Sequence, residues 1–100
     1  MEVVKVEYTV REDYIETNKE NIKAVIEELK SLGDKGVKYF VSNQGNKFIH
    51  FAIFQNKEAT NIVPNLESFK KFREQLKTGA KTPPVSEDLE LVDSSFPFFN

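Results

Sequence analysis

The sequence predicts an α+β domain of the ferredoxin-like type, a four-stranded antiparallel sheet with two helices on one face in the order β-α-β-β-α-β. Three observations predict it. Short runs rich in β-formers carry apolar residues at every second position. Two longer stretches repeat apolar residues at helical spacing. Glycines and turn residues fall where one period gives way to the other.

Val4, Val6, Tyr8 and Val10 alternate with Val3, Lys5, Glu7 and Thr9, a strand with one strongly apolar face. After Arg11 the period changes. Ile15, Ile22, Val25, Ile26 and Leu29 predict an amphipathic helix from about Asp13 to Leu32. Two starts compete: Asp13 as the cap, or Thr17 with Glu20 completing a capping box. The step from Ile15 to Ile22 stays on one face and favours the earlier start. Gly33 supplies the stop. Beyond the turn Asp34-Lys35-Gly36, Val37 to Ser42 alternates again, with Val37, Tyr39 and Val41 opposite Lys38 and Phe40. The turn cluster Asn43-Gln44-Gly45-Asn46 then joins this run to Lys47–Phe54, which predicts a hairpin. Gln55 to Pro64 is irregular, with one helical turn around Glu58. Pro64 and Asn65 introduce a second helix with Leu66, Phe69, Phe72, Arg73 and Leu76 on its inner stripe and Gly79 at its end. An extended loop through Pro83-Pro84 leads to a last strand over Leu89 to Val92 and a tail, Ser95-Phe96-Pro97-Phe98-Phe99, rich in aromatic side chains.

One hundred residues make one domain, 1–100. A chain this size buries roughly 65% of the surface its unfolded form exposes, enough for one modest core. The net charge of −2 argues against nucleic acid as the partner, since phosphate binding needs a basic surface. The absence of cysteine removes disulfides, thiolate metal sites and cysteine nucleophiles, and fits a cytoplasmic protein. The start reads as a strand rather than a signal peptide, and no apolar run is long enough to span a bilayer, so no membrane partner is expected.

The third strand bears on assembly. Phe48, His50, Ala52 and Phe54 share one face, and Ile49, Phe51 and Ile53 share the other. Both faces are apolar, and two helices on one side cover only one of them. A second copy of the same sheet, related by a two-fold axis, is the simplest cover for the other, so a homodimer is expected. The alternative is a monomer whose C-terminal segment folds back over that face.

The long helix ending Glu27-Glu28-Leu29-Lys30, then Gly36-Val37-Lys38-Tyr39, Phe48-Ile49-His50-Phe51-Ala52 and Leu66-Glu67-Ser68-Phe69-Lys70-Lys71-Phe72, resemble the dimeric α+β barrel superfamily, within it the antibiotic biosynthesis monooxygenase-like group. The resemblance runs from Val4 to about Phe98. The ending, Pro83-Pro84-Val85 through Leu89-Glu90-Leu91-Val92 to Phe96, resembles a branch of small bacterial proteins without an assigned activity. It implies a homodimer whose sheets pack into a barrel, with a small cavity between helices and sheet in each protomer. Some members use that cavity for cofactor-free oxygenation of aromatic polyketides or quinols, and others degrade haem. This chain departs from both: it has no tryptophan, and its second helix carries no histidine.

His50, the only histidine, is the candidate catalytic base or hydrogen-bond donor, with Ala52 beside it leaving room. The plainer alternative is a core histidine satisfied by a carbonyl or a tyrosine hydroxyl. Tyr8 and Tyr39 lie on apolar strand faces, and their phenols would orient a ligand. Phe54, Phe69 and Phe72 complete the candidate lining. Tyr14 falls near the cavity mouth. No metal site is expected, since one histidine without cysteine lacks companions at ligand spacing. The resemblance implies that these residues serve a cofactor-independent monooxygenase acting on a small aromatic or quinone-like compound. The other class is a non-catalytic homodimer that binds a small apolar ligand or serves as an interaction protein.

Overall fold

The structure, a computed structural model, describes residues 1–99. Strand β1 (Glu2–Thr9) is followed by a 3₁₀ turn (Glu12–Tyr14) and helix α1 (Ile15–Ser31). The hairpin strands β2 (Val37–Gln44) and β3 (Lys47–Phe54) come next, then two 3₁₀ turns (Glu58–Asn61 and Val63–Asn65), helix α2 (Glu67–Gly79) and strand β4 (Val85–Leu89). All strand pairs are antiparallel, in the order β2-β3-β1-β4. This is the ferredoxin-like arrangement that the sequence predicts.

Alternation decides the faces. Val4, Val6 and Tyr8 of β1, Val37, Tyr39 and Val41 of β2, and Phe48, His50, Ala52 and Phe54 of β3 turn toward the helices. Ile15, Ile22, Val25 and Leu29 of α1 and Phe69, Phe72 and Leu76 of α2 meet them. The core has a large cluster around Tyr8, Phe48 and Phe72 and a smaller one around Ala52, Phe54 and Ala59.

Local chemistry sets the joints. The hairpin turn narrows to Gly45-Asn46, and Gln44 pairs with Lys47. Gly45 has φ +60° at the first central position, where a side chain would be strained. Gly79 allows a close approach: the Tyr14 ring lies where a Cβ on Gly79 would stand. No side chain caps α2 from its own first turn. Instead the Glu28 carboxylate of α1 accepts hydrogen bonds from the Ser68 amide (2.9 Å) and the Ser68 hydroxyl (2.6 Å). Those bonds hold the Glu28 carboxyl below the usual carboxylate range and tie α1 to the start of α2.

Two expectations need correction. The helix starts at Ile15, and Asp13 does not cap it: Arg11 Nε donates to Asp13 Oδ1 at 3.0 Å, and a 3₁₀ turn leads into the helix. The last strand is Val85–Leu89 rather than Leu89–Val92. The Lys81 amide donates to the Thr9 carbonyl at 2.8 Å, so the chain already runs beside β1 when it leaves Pro84. Pairing follows at once, from Glu7↔Val85 to Val3↔Leu89.

The outer face carries Phe40, Ile49, Phe51, Ile53 and Val3, interrupted by Lys5, Glu7 and Glu87. The rings of Phe40 and Phe51 stack at 5.0 Å, and Phe40 is half exposed. The tail crosses one end of this face: Phe99 lies 5.6 Å from Lys38 Nζ, and Ile53, the register partner of Lys38, is buried. No helix among the described residues is long and apolar enough to cross a membrane.

Candidate functional site

The sheet register brings the polar side chains together. His50 sits opposite Val6 of β1 and Val41 of β2. Tyr8 pairs with Phe48, two residues before His50, and Tyr39 pairs with Ala52, two residues after it. The two tyrosines therefore lie on diagonals on either side of the imidazole, a separation that aromatic side chains can bridge. Tyr8 Oη is 2.7 Å from His50 Nε2, and Tyr39 Oη is 2.6 Å from His50 Nδ1. From α1, Asn18 Nδ2 donates to Tyr8 Oη at 2.9 Å. The result is a continuous chain, Asn18–Tyr8–His50–Tyr39, inside an apolar core.

Burial sets the charge state of each member. Desolvation lowers the His50 pKa to about 4, so the imidazole is neutral at pH 7. Burial pushes the Tyr8 phenol well above its usual value, against the opposing hydrogen bond from Asn18. Burial also raises the Tyr39 phenol, with the nearby Tyr8 adding to it. All three groups are neutral hydrogen-bonding groups at physiological pH. Asn18 is fully buried, and its Oδ1 has no protein partner.

Two adjoining lobes of about 120 Å³ each open beside this chain. They share Val6, Tyr39, His50 and Phe69 as a common wall. The first lobe continues to Val4, Ala52, Phe54 and Val63. The second continues to Tyr8, Phe72, Leu76 and Pro84, and meets a surface groove of about 410 Å³ at Arg73, Leu76 and Pro84. Each lobe matches one aromatic ring, since an apolar cavity of about 150 Å³ holds benzene.

The candidate catalytic and lining residues, His50, Tyr8, Tyr39, Phe54, Phe69 and Phe72, line one or both lobes. Phe72 packs 5.6 Å from the His50 ring and 5.7 Å from Phe69. Tyr14 does not line them; its ring packs on Gly79 and its hydroxyl faces Asn21 at 3.4 Å. Sequence reasoning missed Asn18. Its signal was available: Ile15, Asn18, Ile22, Val25 and Leu29 form a helical stripe with one polar member. It also missed Thr60, Val63 and Pro64, whose irregular segment closes the first lobe.

No protein-family model matches the sequence, and no curated protein matches it. Solved structures do match the fold. Rv0793 from Mycobacterium tuberculosis superposes with a TM-score of 0.80 at 15% identity, over 95% of this chain and 98% of that one. A protein from Nitrosomonas europaea, provisionally named an antibiotic biosynthesis monooxygenase, gives 0.80 at 14% identity, over 93% of this chain and 100% of that one. NE2512 from the same organism, a protein of unknown function, gives 0.77 at 14% identity, over 96% and 93%. The chain has the fold of antibiotic biosynthesis monooxygenase-like proteins. At such identities the likeness extends to the fold alone.

Proposed function

We propose that the protein is a homodimeric, cofactor-independent monooxygenase of a small aromatic or quinone-like compound bound beside His50. The observation that carries this reading is the setting of the one histidine. Its ring lines an apolar cavity of one-ring size, with a tyrosine hydroxyl on each nitrogen. Mostly apolar walls with a few convergent polar groups suit a small-molecule site. The names of some structures sharing the fold support the same class.

The chemistry needs little from the protein. An activated aromatic CH₂ group can react with O₂ to give C=O and water, one oxygen atom entering the product and the substrate supplying all the electrons. The protein's part is to take up the ring as its enolate, the proton having been left with bulk solvent on entry, to exclude water and to stabilise the enolate oxygen. A neutral His50 with a pKa of about 4 is a weak base, so we assign it to hydrogen bonding behind Tyr39 rather than to proton removal.

A specific observation favours a second reading. Both imidazole nitrogens are already engaged, as in a purely structural histidine. On that reading the dimer binds its ligand without turnover.

The homodimer rests on the outer face, where Phe40 and Phe51 stack beyond the reach of the helices. We place the protein in the cytoplasm, in keeping with its lack of cysteine.

Oxygen uptake tests the reading. One-ring aromatic ketones and quinols are supplied to the wild type and to His50→Phe. Uptake by the wild type that the variant loses supports the monooxygenase. Ligand-induced stabilisation with no uptake selects the binding protein. Neither response to any compound overturns both.

A further inference from the structure

We infer that the cavity takes a one-ring aromatic ligand bearing an acceptor oxygen, a carbonyl above all, and that the Tyr39 hydroxyl donates the hydrogen bond that holds it. The inference rests on the proposal that the cavity is a ligand site, and it deepens that proposal by fixing the polarity of the ligand.

The protons along Asn18–Tyr8–His50–Tyr39 set the polarity of the site. A neutral imidazole has one donor nitrogen and one acceptor nitrogen. Only two directions are open. In the first, Tyr8 donates to His50 Nε2, and the Nδ1 proton is donated to Tyr39 Oη. Tyr8 then accepts once, from Asn18, and donates once. Tyr39 accepts once and keeps a free O–H. In the second direction, Tyr39 donates to Nδ1 and the Nε2 proton is donated to Tyr8 Oη. The Tyr8 oxygen then receives two donors, and its own proton has no protein acceptor. Tyr8 is 2% exposed and borders only the second lobe, so its proton has far less access to an acceptor than that of Tyr39, which is less buried and lines both lobes.

An unmet buried donor is costly, which disfavours the second direction on the order of tenfold or more. Turning the Asn18 amide round would set Oδ1 against Tyr8 and rescue it. That rotation would leave both Nδ2 protons without partners in a fully buried side chain, where the present orientation leaves one of them and Oδ1. An orphaned carbonyl oxygen is better tolerated than a second orphaned N–H, so Asn18 keeps Nδ2 on Tyr8 and leaves Oδ1 unpartnered. The first direction therefore holds, and its one free proton belongs to Tyr39. Tyr39 is half-buried and lines both lobes, so this proton is available to whatever fills them. Around it the shared walls are carbon, from Val6 and Phe69. A ligand oxygen that only accepts satisfies this site.

Two measurements test it at pH 7. His50 is the only histidine, so a long-range ¹H–¹⁵N correlation spectrum of the labelled protein contains a single imidazole. The expected spectrum shows the proton on Nδ1. A proton on Nε2 overturns the inference, and this readout needs no ligand. The second measurement compares acetophenone with α-methylstyrene, which replaces the carbonyl oxygen by a CH₂ group of similar shape. The wild type is expected to prefer acetophenone by about fivefold, the worth of one net hydrogen bond. Tyr39→Phe is expected to lose or reverse that preference. Tighter binding of α-methylstyrene to the wild type overturns the inference. Binding of neither compound overturns the ligand-site proposal itself, whichever tautomer the spectrum shows.

Discussion

Acid should destabilise this protein through His50 before it protonates most carboxylates. Burial holds the His50 pKa at about 4, against 6.5 for the free side chain. As pH falls below 6.5, the unfolded chain takes up a proton that the folded chain refuses until about pH 4. The contribution of the neutral imidazole is therefore complete above pH 6.5 and is lost as pH falls to about 4. At 1.36 kcal/mol per pKa unit, the loss amounts to roughly 3 kcal/mol, a large part of the stability of a small domain. Urea unfolding of the wild type and of His50→Phe, at intervals from pH 7.5 to 4, isolates the effect. The variant loses the hydrogen bonds to both tyrosines at every pH, which offsets its stability by an amount independent of pH. The difference between the two proteins should shrink by roughly 3 kcal/mol across that range. Parallel stability curves would refute the reasoning, because they would mean that His50 titrates alike in the folded and unfolded chains.

Three further predictions test other joints. Gly79→Ala places a methyl group into the Tyr14 ring and should cost about 1–3 kcal/mol, read as a lower midpoint in urea; an unchanged midpoint would show that the ring moves freely. The Glu28 carboxyl should titrate below an ordinary glutamate by ¹³C NMR, and Ser68→Ala should bring it back up, because the Ser68 hydroxyl is the main cause of the shift. Phe51→Asp, on the outer face beside Phe40, should convert the proposed dimer to a monomer in light scattering while leaving the far-UV circular dichroism intact. A dimer that survives this change would move the interface elsewhere.

Much of the fold was legible because its two periods are clean. The alternation in Val4–Val10 and Val37–Val41, and the helical steps of Ile22, Val25 and Leu29, are set by which face each residue buries. The last strand was not legible. Val85-Ser-Glu-Asp-Leu89 is an edge strand, exposed throughout, and it is held by backbone bonds to β1 rather than by its side chains. Composition carries little trace of such a strand.

The site was half legible. His50, Tyr8 and Tyr39 stood out as polar groups on apolar faces, and the hairpin turn fixes the Tyr39–Ala52 pairing. That one imidazole would meet both hydroxyls depends on the β1–β3 register, which joins strands separated by the whole of α1 and β2. Asn18 was passed over because a helical stripe tolerates one polar member. Its partner, Tyr8, is ten residues away and in a different element.

The apolar space beside His50 is the proposed seat of a one-ring aromatic ligand. Val6 lines both lobes, so Val6→Phe fills both while all four members of the polar chain are kept. Thermal unfolding of the wild type and of Val6→Phe, each with and without acetophenone, tests this. The wild type should be stabilised by roughly 2.7 kcal/mol at a hundred times the dissociation constant, and the variant almost not at all. Equal shifts in both proteins would put the ligand elsewhere and contradict the account.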